Sequence, residues 1–386
     1  MSLENWQRAG FGVYVHWPFC QAKCPYCDFN SHVSANVDQS AWVRAYLSEL
    51  NRLAALTPDR IVSTVFFGGG TPSLMHPDTV AAIIERIRAN WRTSNDIEIN
   101  LEANPTSVEA ERFNGFRQAG VNRISMGIQA LNDADLKLLG RLHTVSEAER
   151  AFDIARTAFD RVSFDLIYAR QNQTASDWEA ELTRALGMAV DHLSVYQLTI
   201  EDGTAFGDRF ARGGLRGLPS DDLSADLFEI TQSITDAYGF SAYEVSNHAK
   251  AGQESRHNLV YWRGGDYVGV GPGAHGRFDA NGARLATETF LAPNKWLDSV
   301  NTRGTGENAV ARLTTEEQAL EYLLMSLRLA EGCETDWLYQ LDKNSISSSK
   351  IKDLSESGRL ILEDSRLVVP AKSRILLNAI LAQLVT

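Results

Sequence analysis

Through the first half of the chain, short apolar runs rich in β-branched residues alternate with longer stretches whose apolar positions recur every three or four residues. The short runs predict strands over 13–19, 64–67, 97–102, 123–129, 163–168 and 192–200. The longer stretches predict helices over 40–56, 78–89, 108–119, 134–139, 146–159 and 175–189. In the first of these, Trp42, Val43, Tyr46, Leu47, Leu50 and Leu53 form one apolar face. Asp78 is a candidate N-cap, and Ser146 another, with Glu149 three residues on in capping-box register. Strands alternating with helices imply a parallel sheet with right-handed crossovers. Six such units fit a partial (β/α) barrel, and an open doubly wound sheet has the same local rhythm. In both, ligands sit at the C-terminal ends of the strands.

The rhythm breaks near Ile200. Gly203, Gly207, Gly213, Gly214, Gly217 and Pro219 mark a loop-rich crossing. A helix over 222–238 and an extended run over 240–245 follow, then a glycine-rich stretch over 264–276. A helical pattern returns over 314–329. The tail then reads as two helices, short strands at 360–363 and 366–370, and a last helix over 373–384. That order suggests a small winged-helix-like module. The organisation expected is 1–210, a (β/α) unit; 211–310, an α+β extension; and 311–386, the C-terminal module.

Composition narrows the function classes. Lys plus Arg number 37 and Asp plus Glu 49, a net charge of −12, with no basic block. Nucleic acid and anionic membranes are poor partners for such a chain, so a packing or lid role suits the C-terminal module better than DNA binding. No apolar run is long enough for a transmembrane helix, and the first residues lack a basic-then-apolar signal pattern. Of four cysteines, three share one short stretch, which argues against a disulfide framework and suits a reducing cytoplasm.

That stretch is Cys20-Gln21-Ala22-Lys23-Cys24-Pro25-Tyr26-Cys27, directly after the first predicted strand. Thiolates hold the irons of iron–sulfur clusters, so three cysteines can hold three irons of a [4Fe–4S] cluster and leave the fourth open to a chelating cofactor. A zinc site wants four ligands, usually in paired arms. Cys333 lies far away in a helical region and no paired arm is visible, although His16 and His32 are within reach of the loop in sequence.

Other candidates stand at or just past predicted strand ends. In Gly68-Gly69-Gly70-Thr71-Pro72 the backbone N–H groups can approach a ligand closely; the alternative is a plain strand-to-helix turn. Glu102 can accept from ribose hydroxyls, Gln129 can donate and accept, and Arg141 offers a planar fork to a carboxylate. Each could equally be a solvated end or a surface ion pair. Asp165 lies inside an apolar strand, where a charge needs a partner. Farther on, His257-Asn258-Leu259-Val260-Tyr261-Trp262 combines an imidazole, able to ligate heme iron, with two aromatics able to face a porphyrin. On chemistry alone, a histidine crosslinking a loop over core aromatics is the better reading.

The CxxxCxxC loop after a first strand, followed one unit later by Gly69-Gly70-Thr71, resembles the radical S-adenosylmethionine (SAM) superfamily. There SAM chelates the open iron and one-electron reduction cleaves it to a 5′-deoxyadenosyl radical. Over almost the whole chain the resemblance is to the coproporphyrinogen oxidase-like branch, which holds the oxygen-independent coproporphyrinogen III oxidases and the HemW-type heme chaperones. Three features resemble the chaperone form. Phe29 stands where the oxidase pattern has a further cysteine; only 19 residues precede Cys20; and the HNxxYW stretch at His257, Tyr261 and Trp262 is associated with heme binding.

The resemblance implies a [4Fe–4S] cluster on Cys20, Cys24 and Cys27. It implies SAM contacts from Tyr14, Tyr26, Gly69, Gly70, Thr71, Glu102, Gln129, Arg141 and Asp165, some of which serve a second SAM in the oxidase. It implies heme as cargo, with His257 the candidate axial ligand. Partners would be an acceptor hemoprotein such as a respiratory enzyme and an electron donor such as flavodoxin or ferredoxin. No catalytic residue is assigned beyond these. The alternative activity is radical decarboxylation of coproporphyrinogen III. One departure stands out. Where the family often reads DLIYGLPGQT, this chain has Asp165-Leu166-Ile167-Tyr168-Ala169-Arg170-Gln171-Asn172-Gln173-Thr174, which puts the shape of that loop in question.

Overall fold

The computed structural model describes residues 4–34, 36–106 and 110–385. Six parallel strands follow one another in sequence order: β1 (Phe11–Trp17), β2 (Ile61–Gly69), β3 (Arg92–Ala103), β4 (Arg123–Gln129), β5 (Arg161–Tyr168) and β6 (His192–Gln197). Each lies beside its predecessor, as in a barrel wound in one direction, and the sheet remains open. The helices α1 (Gln39–Leu56), α2 (Pro77–Asn90), α3 (Phe113–Ala119), α4 (Asp133–Leu138), α5 (Val145–Ala158) and α6 (Ala175–Met188) fall within a few residues of the predicted ones. The first residues of the helix predicted over 108–119 include 108 and 109, which lie outside the described residues.

The caps differ from expectation. His76, not Asp78, caps α2, with Pro77 in the first helical position. Thr144, not Ser146, caps α5, and its capping-box partner is Glu147. Both helices begin one residue earlier than the apolar period suggests, because a capping side chain needs no apolar neighbour.

Strand alternation sorts the residues by face. Phe11, Val13, Val15 and Trp17 of β1 are buried on the helix side, where Trp17 packs edge-on against Trp42 of α1. The other face is polar: Thr64 of β2 is level with Glu98 of β3, Glu102 with Ser125 of β4, Ser125 with Ser163 of β5, and Asp165 with Ser194 of β6.

The glycine-rich stretch is partly strand. It contains β7 (Asp266–Val270), which pairs in parallel with β1. Three antiparallel strands, β8 (His275–Ala280), β9 (Ala283–Thr289) and β10 (Glu307–Arg312), extend the same sheet. Two short strands, Ser241–Ala242 and Asn247–Ala249, close the other edge beside β6, for twelve strands in all. Gly269 serves close packing, since a Cβ there would meet the His275 carbonyl oxygen at 2.1 Å.

The C-terminal part has its own apolar cluster, centred on Leu323, Leu338, Leu367 and Ile380, around a three-stranded sheet of Cys333–Glu334, Arg366–Val368 and Ile361–Glu363. Cys333 is fully buried in that short strand rather than in a helix. No helix among the described residues is long and apolar enough to cross a membrane.

Candidate functional site

After β1 the chain turns at Pro18. Phe19 and Cys20 pair in parallel with His32 and Val33, which pinches the intervening cysteine loop at its base. His16, inside β1, faces this loop: its Nε2 is 2.9 Å from the Asn30 carbonyl oxygen and its Nδ1 is 3.0 Å from the Tyr14 hydroxyl. Burial holds His16 neutral, with its pKa lowered to about 4. It therefore anchors the far end of the loop.

The end of β2 packs directly on the start of the cysteine loop. The Gly70 N–H donates to the Trp17 carbonyl (2.7 Å) and the Thr71 N–H to that of Phe19 (2.9 Å). A Cβ at Gly70 would stand 2.8 Å from the Phe19 carbonyl oxygen, and one at Gly69, where φ is +111°, would enter the His16 ring. These two positions need glycine both for close approach and, at Gly69, for its backbone angle.

The three cysteines line one cavity of 160 Å³ together with Tyr26, Gly69, Gly70, Thr71, Glu102, Gln129, Arg141 and Asp165. Every expected SAM-contact residue except Tyr14 is brought to it. Tyr14 lies below, hydrogen-bonded to His16 and stacked on Phe66 with ring centroids 6.2 Å apart. Donors are aimed at the sulfurs: the Thr71 hydroxyl at Cys20 Sγ (3.4 Å) and Arg141 Nη1 at Cys24 Sγ (3.4 Å). Such donors favour thiolates. Burial nonetheless raises the pKa of Cys20 and of Cys27 in the protein alone. Among the described residues no three His, Cys, Asp or Glu side chains are grouped as a single ion would need. Cluster thiolates each take a different iron and stand farther apart.

Arg141 is held by a residue the sequence reading missed. Its Nη2 donates to Asn104 Oδ1 (2.6 Å) and to the Gly127 carbonyl (2.7 Å), while Asn104 Nδ2 donates to Thr71 Oγ1 (3.2 Å). Asn104 thus ties the donors on Cys20 and Cys24 together. Its only sequence signal is its place two residues beyond Glu102. Burial acts to lower the pKa of Arg141, but Tyr26 and Cys24 outweigh it and raise it. Gln129 reaches the cavity through a shift in register between Met126 and Gln129, with φ of +75° at Gln129 itself. A bulge of this kind re-aims a strand-end side chain.

The two carboxyls at the floor are poorly neutralised. Removal from water, then the neighbouring Asp165, raise the Glu102 pKa to about 8, against a single Gly69 N–H at 3.3 Å. Asp165 is raised to about 6 by desolvation despite hydroxyl donors, among them Ser125. A pocket with a fixed guanidinium and two under-compensated carboxyls is built for a ligand carrying carboxylate, ammonium and hydroxyl groups. The donor set fits SAM beside an iron–sulfur cluster.

A second cavity of 780 Å³ continues from the first, sharing Tyr26, Cys27, Phe29, Glu102, Gln129 and Asp165. Its far walls are the ends of β5 and β6, the helix α7 (Asp221–Ala237), and Ile375, Leu377 and Asn378 of the C-terminal module. Phe29 is 59 % exposed at the junction.

The structure does not bring His257, Tyr261 and Trp262 to either cavity. They lie on α8 (Arg256–Trp262), and His257 reaches the opposite, N-terminal end of the strands. Both its ring nitrogens are engaged, Nδ1 with Thr64 Oγ1 (2.8 Å) and Nε2 with the Tyr261 hydroxyl (2.6 Å). Its ring packs on Phe66 with centroids 5.1 Å apart, and burial lowers its pKa to about 3. Iron ligation by this histidine would break one of those bonds. Trp262 has a different neighbour: the guanidinium of Arg328 lies over its ring, 4.9 Å from the centroid.

The loop with the unusual sequence keeps its turn. Ala169 and Asn172, at the positions of the family's two glycines, both have φ of +58°. Arg170 between them is buried and pairs with Asp135 (2.9 Å) and Glu181 (2.5 Å). Ion pairs here replace the glycine–proline geometry.

Comparison with known proteins places these features in context. Residues 14–185 match the family model described as the radical SAM superfamily. The chain is 38 % identical to the mitochondrial radical S-adenosyl methionine domain-containing protein 1 of Bos taurus, covering 98 % of this chain and 88 % of that one. It is 33 % identical to the heme chaperone HemW of Bacillus subtilis over 95 % of this chain and 97 % of the other, and 41 % identical to HemW of Escherichia coli over 72 % of each. The solved structure of coproporphyrinogen III oxidase (HemN) from Escherichia coli superposes with a TM-score of 0.81, covering 97 % of this chain and 90 % of that one, at 23 % identity. That likeness concerns the fold.

Proposed function

The chain belongs to the radical SAM superfamily, in the branch of the HemW heme chaperones and HemN, and from that premise we propose that it binds heme and hands it to a hemoprotein. The observation that carries the reading is the 780 Å³ cavity opening from the cysteine-lined pocket. Its volume lies in the range of cofactor sites, and its walls carry apolar and aromatic side chains interleaved with polar and charged ones in similar number.

In this reading the thiolates of Cys20, Cys24 and Cys27 hold the [4Fe–4S] cluster, and Gly69, Gly70, Thr71, Glu102, Gln129, Arg141 and Asp165 hold SAM, with Tyr26 as a wall. When bound, the cluster and SAM supply one-electron chemistry at the open iron. Tyr14 supports the loop through His16. Residues 1–210 carry this centre, and 211–310 and 311–386 wall the cargo cavity. The acceptor would be a hemoprotein such as a respiratory enzyme. A flavodoxin- or ferredoxin-type donor would reduce the cluster. Four free cysteines support a reducing, cytoplasmic setting. Phe29 in place of the oxidase's further cysteine favours the chaperone over coproporphyrinogen decarboxylation.

The test is an anaerobic heme titration of cluster-reconstituted protein followed by Soret absorbance. Saturation near one heme per chain is expected, with no protoporphyrinogen formed from coproporphyrinogen III under SAM and reductant. Weak, non-saturating binding would refute the chaperone reading. Cys24→Ala should lose the cluster's iron and sulfide, and a variant retaining both in full would refute that ligand assignment.

A further inference from the structure

Resting on the heme reading above, we infer that Arg328 and Arg374 receive the propionate carboxylates of the tetrapyrrole in the large cavity. They are the only positively charged residues lining it among the described residues. Neither makes an ion pair in the described structure. Arg374 is 7 % exposed, in the turn Ala371–Leu376 of the C-terminal module, and its Nη1 is buried with no hydrogen-bond partner. The carboxylate acting on it from a distance is Glu244, whose Oε1 already accepts from the Ser246 N–H and Asn247 Nδ2, each at 2.7 Å. Arg328 Nε is likewise buried without a partner, and its guanidinium rests on the Trp262 ring.

A buried guanidinium without an anion costs free energy, and a planar fork is best satisfied by a carboxylate. The cavity's own acids do not meet that need. Glu102 and Asp165 sit at the strand ends, and Asp28, Glu201 and Asp221 also line the cavity, yet none pairs with either arginine. Apolar side chains on the walls of the same cavity, including Ile167, Tyr168, Phe228 and Leu377, suit the face of a macrocycle. An amphiphile with an apolar plane and carboxylates at its edge matches this combination of groups. The inference also gives Trp262 a part to play at a distance from the iron: it positions Arg328 by a cation–π contact.

SAM also carries a carboxylate, so the test separates the two sources. Heme and heme dimethyl ester are titrated into cluster-reconstituted wild type and into Arg328→Gln, Arg374→Gln and the double variant, with SAM binding measured alongside by equilibrium dialysis. Arg374→Lys, which keeps the charge, and the cluster absorbance report on folding. The expected result is heme binding about tenfold weaker in each single variant and weaker again in the double. Arg374→Lys should recover part of the loss, and the ester should bind weakly and equally to all forms. Equal heme binding by wild type and double variant would overturn the inference while leaving the heme reading standing. Loss of ester binding in parallel with heme would show a merely structural role, and loss of SAM with heme retained would reassign the carboxylate; both overturn it. Failure of wild type to bind heme would overturn the heme reading and the inference together.

Discussion

Glu98 and Glu102 stand on the same strand and the same face, one turn of the pleat beyond each other's neighbour, and they have opposite fates. Glu98, near the N-terminal end of that face, is 1 % exposed and receives Arg123 (3.2 Å), Arg161 (2.6 Å) and the His257 N–H (3.2 Å). Burial works to raise its pKa, but these partners outweigh it and hold it below the usual carboxylate range. Glu102, at the C-terminal end, receives one long N–H bond and is pushed up to about 8. One end of the sheet is closed by polar groups that pair with one another, His257 among them. The other holds charge unpaired around a cavity. Fold stability and ligand chemistry are thus divided along single strands, as in complete (β/α) barrels.

The comparison breaks most sharply at Glu98. Glu98→Gln leaves the buried Arg123 without its counter-charge and the part-buried Arg161 with only Asp191 at 3.6 Å, and should cost about 3–5 kcal/mol, read by denaturant unfolding. A near-neutral result would show that this end is not the structural one. His257→Ala removes two buried hydrogen bonds and opens space beside Phe66, at a cost of about 2–4 kcal/mol. It should leave the Soret maximum of the heme complex in place. A shifted maximum with unchanged stability would return the histidine to the iron.

At the other end the sign reverses. An unfolded glutamate ionises near 4.5 and the folded Glu102 near 8, so folding takes up a proton between those values. The ligand-free protein should lose stability as pH rises through this window. Glu102→Gln removes the share of that loss due to Glu102 and leaves the share of Asp165, which ends near pH 6. It should match wild type near pH 4 and exceed it at pH 8 by on the order of 2 kcal/mol in paired thermal melts. A wild-type profile no different from the variant's would mean that Glu102 is neutralised by a group within the protein. The smallest effect concerns the turn after β5. Ala169 holds φ of +58°, where a Cβ is strained, so Ala169→Gly should stabilise by up to about 1 kcal/mol. A clear loss would show that the buried methyl matters more than the backbone angle.

The cysteine loop was legible because its spacing is covalent: three thiols within eight residues are neighbours in any fold. Gly69, Gly70 and Glu102 were legible because strand ends can be located by period, and a parallel sheet gathers those ends; Asp165 was legible as a charge inside an apolar strand. Asn104 was hidden, since an asparagine past a strand end looks like any loop residue. β7 was hidden because glycines that permit tight packing read locally as turns. For the HNxxYW stretch the chemistry alone favours a histidine crosslinking core aromatics, and the structure places it so; only the resemblance pointed to heme.

The sequence by itself determined the cysteine donor set, the alternation of strands with helices and the acidic charge of the chain, all consequences of local spacing and composition. Only the tertiary structure decided which of two glutamates on one strand is paired. It alone also turned His257 inward and set two arginines without ion-pair partners on the walls of a cavity that Cys27 shares. Burial and pairing are properties of what other segments bring near, and in this chain those segments lie up to hundreds of residues away.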